Sequence, residues 1–475
     1  MSTAATIGLT LLAIFMVLVV LNVPIAVCLG ISTLVTSVIF HVPYQGFGDI
    51  LYTGIAKSSL LAVPFFILCG AIMEKSGTSA RIVKFANCLV GPIPGGLAVM
   101  SIILTCFWGA ISGNGPATVY ALGSVLIPAM ISAGYSPAFA AACIAASSAI
   151  SVVIPPSTTL IVYGVMAGAS VSDLYLAGFV PGIMMGALMC GWAIFISIKR
   201  NYRGADHFGS KEEILKTLKD SWLGLLAPVF ILGSIYAGIA TPTESAVIGC
   251  VYAMIIGTFA YRGIKFKNLL EIFKSSAKST ATLMLIIGCA SCFSWLVTSQ
   301  GIAGAVSSAL MGISNNKYVL GFLCALILLI AGFFLDGISI SYLFYPLLWP
   351  VVSALGYSNI WFGVVLSMAI AVGMATPPVA VNIYPACHLA KIKMSEITKD
   401  RVAALRPDIN ATMNVSIPEE ELIPTITVAI AVAIIIITKA AIINDLIRLA
   451  IFLARSSAVF RAVLRSVPID RLISD

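Results

Sequence analysis

The chain has 475 residues, 60% of them hydrophobic and only 10% charged, with 27 Lys and Arg against 19 Asp and Glu. An ordinary soluble domain carries roughly 25% charged residues, so a soluble fold is excluded. The net charge of +8 does not indicate a nucleic-acid partner, because the basic residues sit in short segments between apolar runs, as the positive-inside rule describes.

No Asp, Glu, Lys or Arg occurs before Asp49, between Lys84 and Asp173, or between Asp336 and Lys391, which leaves uncharged runs of 48, 88 and 54 residues. A helix crosses a bilayer with about 20 apolar residues, so the whole chain holds roughly a dozen crossings of a lipid bilayer. Residues 1 to 22 lack the basic start of a secretory signal and read as a first membrane helix. Residues 4 to 40 form two helices meeting at Asn22-Val23-Pro24, followed by an uncharged loop at 41 to 48 and a helix ending near Met73. A short polar stretch follows, with Lys75, Arg81 and Lys84. The 88-residue run is cut at Gly91 to Gly96, Ser112 to Pro116, Gly134 to Pro137 and Ile154 to Ser157. After a helix ending at Ile198 comes the one clearly aqueous linker, 199 to 221, in which Lys211 to Asp220 predicts a short amphipathic helix. The eleven cysteines lie almost wholly in apolar runs, Cys289-x-x-Cys292 included, and the three histidines have no metal-ligand spacing, so neither a resident metal nor another cofactor is expected.

The second half repeats the first. A shift of 222 residues places Asn114-Gly115 on Asp336-Gly337, Tyr120 on Tyr342, Pro128 on Pro350, Gly134-Tyr135-Ser136 on Gly356-Tyr357-Ser358 and Pro155-Pro156 on Pro377-Pro378. Ten of the 44 positions from 114 to 157 are identical without a gap, and they include the punctuating residues, which shared apolar composition does not explain. The loop at 41 to 56 carries no Lys or Arg, whereas its counterpart carries Arg262, Lys265, Lys267, Lys274 and Lys278. Such loops face opposite sides of a membrane, so the repeats are expected to be inverted, with the N-terminus outside and the central linker in the cytoplasm. The expected organisation is a first repeat at 1–198, with a helical hairpin at 97–132 and a broken helix at 137–168, and a second at 222–399, with hairpin 318–353 and broken helix 359–392. The fold class is all-α polytopic membrane protein with two inverted-topology repeats, re-entrant hairpins and broken helices.

That is the architecture of secondary transporters, whose half-helix ends and unwound carbonyls bind substrate and coupling ions near mid-membrane. Asp336 is the only acid between Tyr318 and Leu389, and an ionised group at membrane depth is costly enough to suggest ion or substrate coordination, with helix capping as the alternative. Ser112, Gly113 and Asn114 offer hydroxyl, bare backbone and amide oxygen, which suit a hard cation such as sodium but also make ordinary turns. Pro155 and Pro156 cannot donate backbone hydrogen bonds and leave preceding carbonyls free to face a cation, or they simply kink the helix. Ser157, Thr158, Thr376 and Asn382 are polar groups just past the breaks and are candidates for the substrate. Thr241-Pro242-Thr243-Glu244 reads as a capped helix start.

Together with Val63-Pro64-Phe65-Phe66, Gly109-Ala110-Ile111-Ser112-Gly113, Ala133-Gly134-Tyr135, Ile154-Pro155-Pro156-Ser157 and Thr376-Pro377-Pro378-Val379, that segment resembles the large membrane subunit of the TRAP transporters, the tripartite ATP-independent periplasmic carriers, from about residue 5 to 399. The resemblance implies a sodium-driven elevator importer of organic acids such as dicarboxylates, sialic acid or sugar acids, in the bacterial inner membrane. It implies two protein partners, a small four-helix membrane subunit and a periplasmic substrate-binding protein. It assigns sodium to Ser112, Gly113 and Asn114 with Pro155, and to Asp336 and Gly337 with Thr376, leaving Ser157, Thr158 and Asn382 to the substrate. A stand-alone sodium- or proton-coupled anion symporter is the alternative and would need no binding protein. The nucleophile and base of an enzyme are not seen in the apolar runs. The resemblance ends near Lys399, beyond which 400–475 is atypical, with an expected last membrane helix at 422–443 and a basic amphipathic tail.

Overall fold

The computed structural model describes residues 3–90, 93–202, 208–314, 316–377, 380–394 and 397, so the expectations for Pro378 and for 400–475 lie outside the described residues. Among these residues every regular element is helical. The first five α-helices are α1 (Thr3–Val20), α2 (Ile25–Ile39), the short α3 (Phe47–Ile55), α4 (Ala62–Lys75) and α5 (Thr78–Val90). Next come α6 (Gly96–Ser112), α7 (Gly115–Ser132), α8 (Pro137–Ser148) with a 3-10 turn at Ala149–Val152, α9 (Thr158–Ala167) and α10 (Val171–Lys199). The second half has α11 (Lys211–Tyr236), α12 (Pro242–Ile255), α13 (Phe266–Ser299), α14 (Ile302–Met311), α15 (Lys317–Gly332), α16 (Gly337–Ala354), α17 (Asn359–Met374) and α18 (Ile383–Ala390). Among the described residues, eight helical segments are long and apolar enough to cross a membrane.

Helix ends follow local chemistry. Thr241 and Glu244 form a reciprocal capping box at the start of α12: the Thr241 amide donates to Glu244 Oε2 at 2.7 Å and the Glu244 amide to Thr241 Oγ1 at 3.3 Å. Ser210 and Glu213 do the same for α11. Ser136 and Ser358, equivalent under the 222-residue shift, each cap a helix through their hydroxyls. The expected short helix at Lys211 to Asp220 is instead the first part of α11, which continues to Tyr236. No Gly or Pro interrupts the sequence before Gly224, so the amphipathic turn passes directly into the apolar span.

Packing places the interrupted helices together. Helix α8 lies against α6, α7 and α18, while α17 lies against α15, α10 and α9. The α15–α17 crossing is a backbone-to-backbone contact, since a Cβ on Gly373 would overlap the main chain of Gly332. Around these, α4 packs on α12 and α13, and α13 on α2 and α3. Large apolar side chains such as Leu9, Val17, Val229 and Phe259 are exposed on the outer helices, as expected of surfaces that face lipid rather than water.

Candidate functional site

Helix α6 ends at Ser112, and the chain turns through Gly113 and Asn114 into α7. Gly113 has φ +58°, and a Cβ there would run into the Pro156 carbonyl, so a side chain is excluded on both conformational and steric grounds. Its own carbonyl accepts from the Thr158 amide at 3.2 Å and from Thr158 Oγ1 at 2.9 Å. These two bonds fasten the tip to the first residue of α9. Asn114 is the N-cap of α7, its Oδ1 accepting from the Ala117 amide at 3.1 Å, and its carbonyl accepts from Thr118 Oγ1 at 2.9 Å. Ser112 Oγ and Thr118 Oγ1 share a hydrogen bond at 2.9 Å, in buried surroundings.

Between the 3-10 turn and α9 the chain runs through Val153 to Ser157 without a regular helix. Ser157 caps α9 by accepting from the Leu160 amide, and its hydroxyl donates to the Val152 carbonyl at 2.5 Å. The Ser367 hydroxyl of α17 donates to the same carbonyl, also at 2.5 Å. The carbonyls of Val153, Ile154, Pro155 and Pro156, all buried residues, accept no hydrogen bond from any described residue. Buried carbonyls are paired in the great majority of cases, so such a run calls for partners such as water or a cation.

The second tip, from Phe333 to Asp336, joins α15 to α16. Asp336 caps α16, with Oδ2 accepting from the Ile338 and Ser339 amides at 3.1 and 3.3 Å and Oδ1 from the Ser339 hydroxyl at 2.5 Å. It therefore repeats the capping role of Asn114, its equivalent in the first half. Gly337 lies against Thr159 and Ile370: a Cβ there would stand 3.3 Å from Thr159 Oγ1. Both tips thus reach the first turn of α9, one at Thr158 and the other at Thr159. Thr376, after the end of α17, donates its hydroxyl back to the Val372 carbonyl at 2.7 Å. Asn382 is fully buried, donates through Nδ2 to the Ala145 carbonyl at 3.2 Å, and leaves Oδ1 without a partner among the described residues. Its carboxamide sits against Gly115, where a Cβ would come within 2.6 Å of Oδ1.

Of the ten residues singled out above, Ser112, Gly113, Asn114, Pro155, Ser157 and Thr158 belong to the first tip and its seat, Gly337 meets α9 from the second tip, and Asn382 reaches the base of α7. The polar atoms of Asp336 and Thr376 bond within their own segments. Sequence reasoning missed Thr118, Thr159, Ser339 and Ser367. Thr118 and Ser339 lie within one turn of the tips, and Thr159 is adjacent to a chosen residue, so proximity to the breaks was the available signal. Ser367 lies mid-helix in an apolar run and carries no local signal.

The first tip also faces an open cavity of about 650 Å³, lined on one side by Trp108, Ser112, Asn114 and Tyr120, and on the other by α4 and α13. The fold, with its long apolar helical segments, defines a multi-pass helical membrane protein. The chain belongs to the tripartite ATP-independent periplasmic transporter family, as the DctM component, whose family profile matches residues 12–405. It is 34% identical over 386 residues to the isethionate TRAP transporter permease protein DctMQ of Oleidesulfovibrio alaskensis, a match covering 81% of this chain and 61% of that protein. It is 33% identical to the C4-dicarboxylate TRAP transporter large permease protein DctM of Rhodobacter capsulatus, covering 82% of this chain and 92% of the relative. The sialic acid TRAP transporter large permease protein SiaM of Vibrio cholerae is 34% identical, covering 74% and 83%. In fold the chain is similar to the YdaH transporter of Alcanivorax borkumensis, with TM-score 0.53 at 15% identity over 87% of this chain and 88% of that one. The protein is therefore a multi-pass inner-membrane permease of a transporter family, and that family is not one of enzymes.

Proposed function

We propose that the protein imports an organic acid across the bacterial inner membrane, driven by sodium, with a small membrane subunit and a periplasmic binding protein as partners. The observation that carries the reading is the convergence of both tips on Thr158 and Thr159, beside the carbonyls of Val153 to Pro156, to which no described residue donates. Neutral oxygens of this kind suit a weakly charged hard cation. Ser112, Gly113, Asn114 and Pro155 are assigned to one sodium, and Asp336, Gly337 and Thr376 to a second. A hydroxyl that donates to a neighbour keeps lone pairs for a cation, so the bonds of Ser112 and Thr376 are compatible with this role. Ser157, Thr158 and Asn382 are assigned to the edge of the substrate site, and the Asn382 oxygen is the acceptor left for a substrate hydroxyl. Transport proceeds by an elevator movement of the bundle α6–α9 and α15–α18 against the outer helices, with the inverted repeats supplying two related end states.

The test is uptake into proteoliposomes holding this chain and its small subunit, with radiolabelled isethionate, succinate and sialate offered in turn. Accumulation is expected for one of them when an inward sodium gradient is imposed and the binding protein is present. Uptake indifferent to sodium would point to proton coupling, and uptake without the binding protein to a stand-alone symporter.

A further inference from the structure

The cavity beside the first tip has a second wall that the sodium and tip residues do not explain. Helix α13 lines it with Ser275, Ser276, Lys278, Ser279 and Thr282, and α4 with Glu74 and Lys75. Positions 275, 278, 279 and 282 recur at helical spacing, so α13 presents one continuous polar stripe to the cavity. Ser276 is 6% exposed, and its hydroxyl has no hydrogen-bond partner among the described residues. A buried hydroxyl of this kind is normally satisfied, so a ligand or water is expected on this wall. Lys278 is exposed to the cavity, and no carboxylate among the described residues pairs with its ammonium. The described cavity wall carries two ammonium groups, Lys75 and Lys278, and one carboxylate, Glu74, so its formal charge is one positive. Glu74 and Lys75 are neighbours in α4 and together add no net charge to the wall, so the formal positive charge equals that of Lys278.

We propose that Lys278 binds the anionic group of the transported acid, with the α13 hydroxyls beside it, and that this acid carries a single negative charge. The proposal rests on the transport reading above and adds to it the class of substrate. A monocarboxylate or monosulfonate is matched in charge by Lys278. A dicarboxylate would bring a second anionic group to a wall whose remaining charges are Glu74 and Lys75. The neutral end of the acid then lies toward Ser112 and Asn114, which line the opposite side. A volume of about 650 Å³ accommodates a small organic acid with its water.

The experiment measures binding to the purified full-length protein in detergent at fixed sodium, by ligand-dependent thermal stability, with isethionate, sialate and succinate as probes. The proteins are wild type, Lys278→Ala, Lys278→Arg, Ser112→Ala, and Lys274→Ala as a control on the same helix outside the cavity. A monoanion is expected to bind more tightly than succinate. Lys278→Ala should weaken it roughly ten- to a hundredfold, with Lys278→Arg restoring most of the affinity and Lys274→Ala matching wild type. Monoanion binding that survives Lys278→Ala but weakens in Ser112→Ala would leave the transport site standing and overturn the role of Lys278. Preference for succinate would overturn the single-charge class. Absence of binding by all three anions to the wild type would count against the transport reading itself.

Discussion

At the scale of single residues, Gly113 is the most constrained position at the first tip. Its φ of +58° and the Pro156 carbonyl facing it together forbid a side chain. Gly113→Ala is expected to cost at least about 2 kcal/mol, read as a lower melting temperature, and to abolish transport by lifting the tip from Thr158. Asn114 and Asp336 show how capping and ion binding can be separated. Both accept backbone hydrogen bonds at the start of the second arm of a hairpin. Asp336→Ala should cost about 1 kcal/mol through the lost cap. Asp336→Asn keeps an acceptor oxygen and should remain near wild-type stability, while sodium-dependent uptake falls if the carboxylate serves the ion. Equal uptake by Asp336→Asn and wild type would confine this residue to capping. The isolated acid was conspicuous in the sequence because the surrounding run is otherwise uncharged. The buried Ser367 was not, because a hydroxyl inside an apolar helix looks the same whether it faces lipid or the Val152 carbonyl.

At the scale of elements, helix starts were more legible than helix ends. The Thr241-Pro242-Thr243-Glu244 capping box sits where its side-chain chemistry predicts, because both halves of that motif are local. The continuation of α11 beyond Asp220 was not legible from charge patterning, since a polar turn and an apolar span have the same helical backbone. Crossings between distant helices were beyond reach for a different reason. The contact of Gly332 with Gly373 depends on two residues 41 positions apart, neither of which differs from any other glycine in an apolar run. Here the structure makes a direct prediction. Gly373→Val should overpack the α15–α17 crossing and destabilise the protein by about 3 kcal/mol, whereas Gly191→Val, on an open face of α10, should lie within about 0.5 kcal/mol of wild type. Thermal melts of the two variants in the same detergent would check this, and equal losses would argue against a close crossing.

At the scale of the whole molecule, the composition that excluded a soluble protein also accounts for the distribution of its surfaces. Apolar residues are exposed on the outer helices, while polar groups line the two tips, the break before α9 and the cavity beside α13. The all-helical membrane class was legible because charge exclusion from long runs is a direct consequence of lipid as solvent. The meeting of both tips on consecutive threonines was not, because it depends on how distant segments pack. The claim on which the account depends is that this meeting point binds sodium. It is tested most directly by titrating purified protein with sodium against potassium at constant ionic strength, following thermal stability in wild type, Ser112→Ala and Asp336→Asn. A bound ion stabilises the folded state by RT ln(1 + [L]/Kd), about 2.7 kcal/mol at a hundredfold excess over Kd. The account predicts stabilisation by sodium but not potassium, reduced in both variants. Identical curves for the two salts in folded wild-type protein would contradict it.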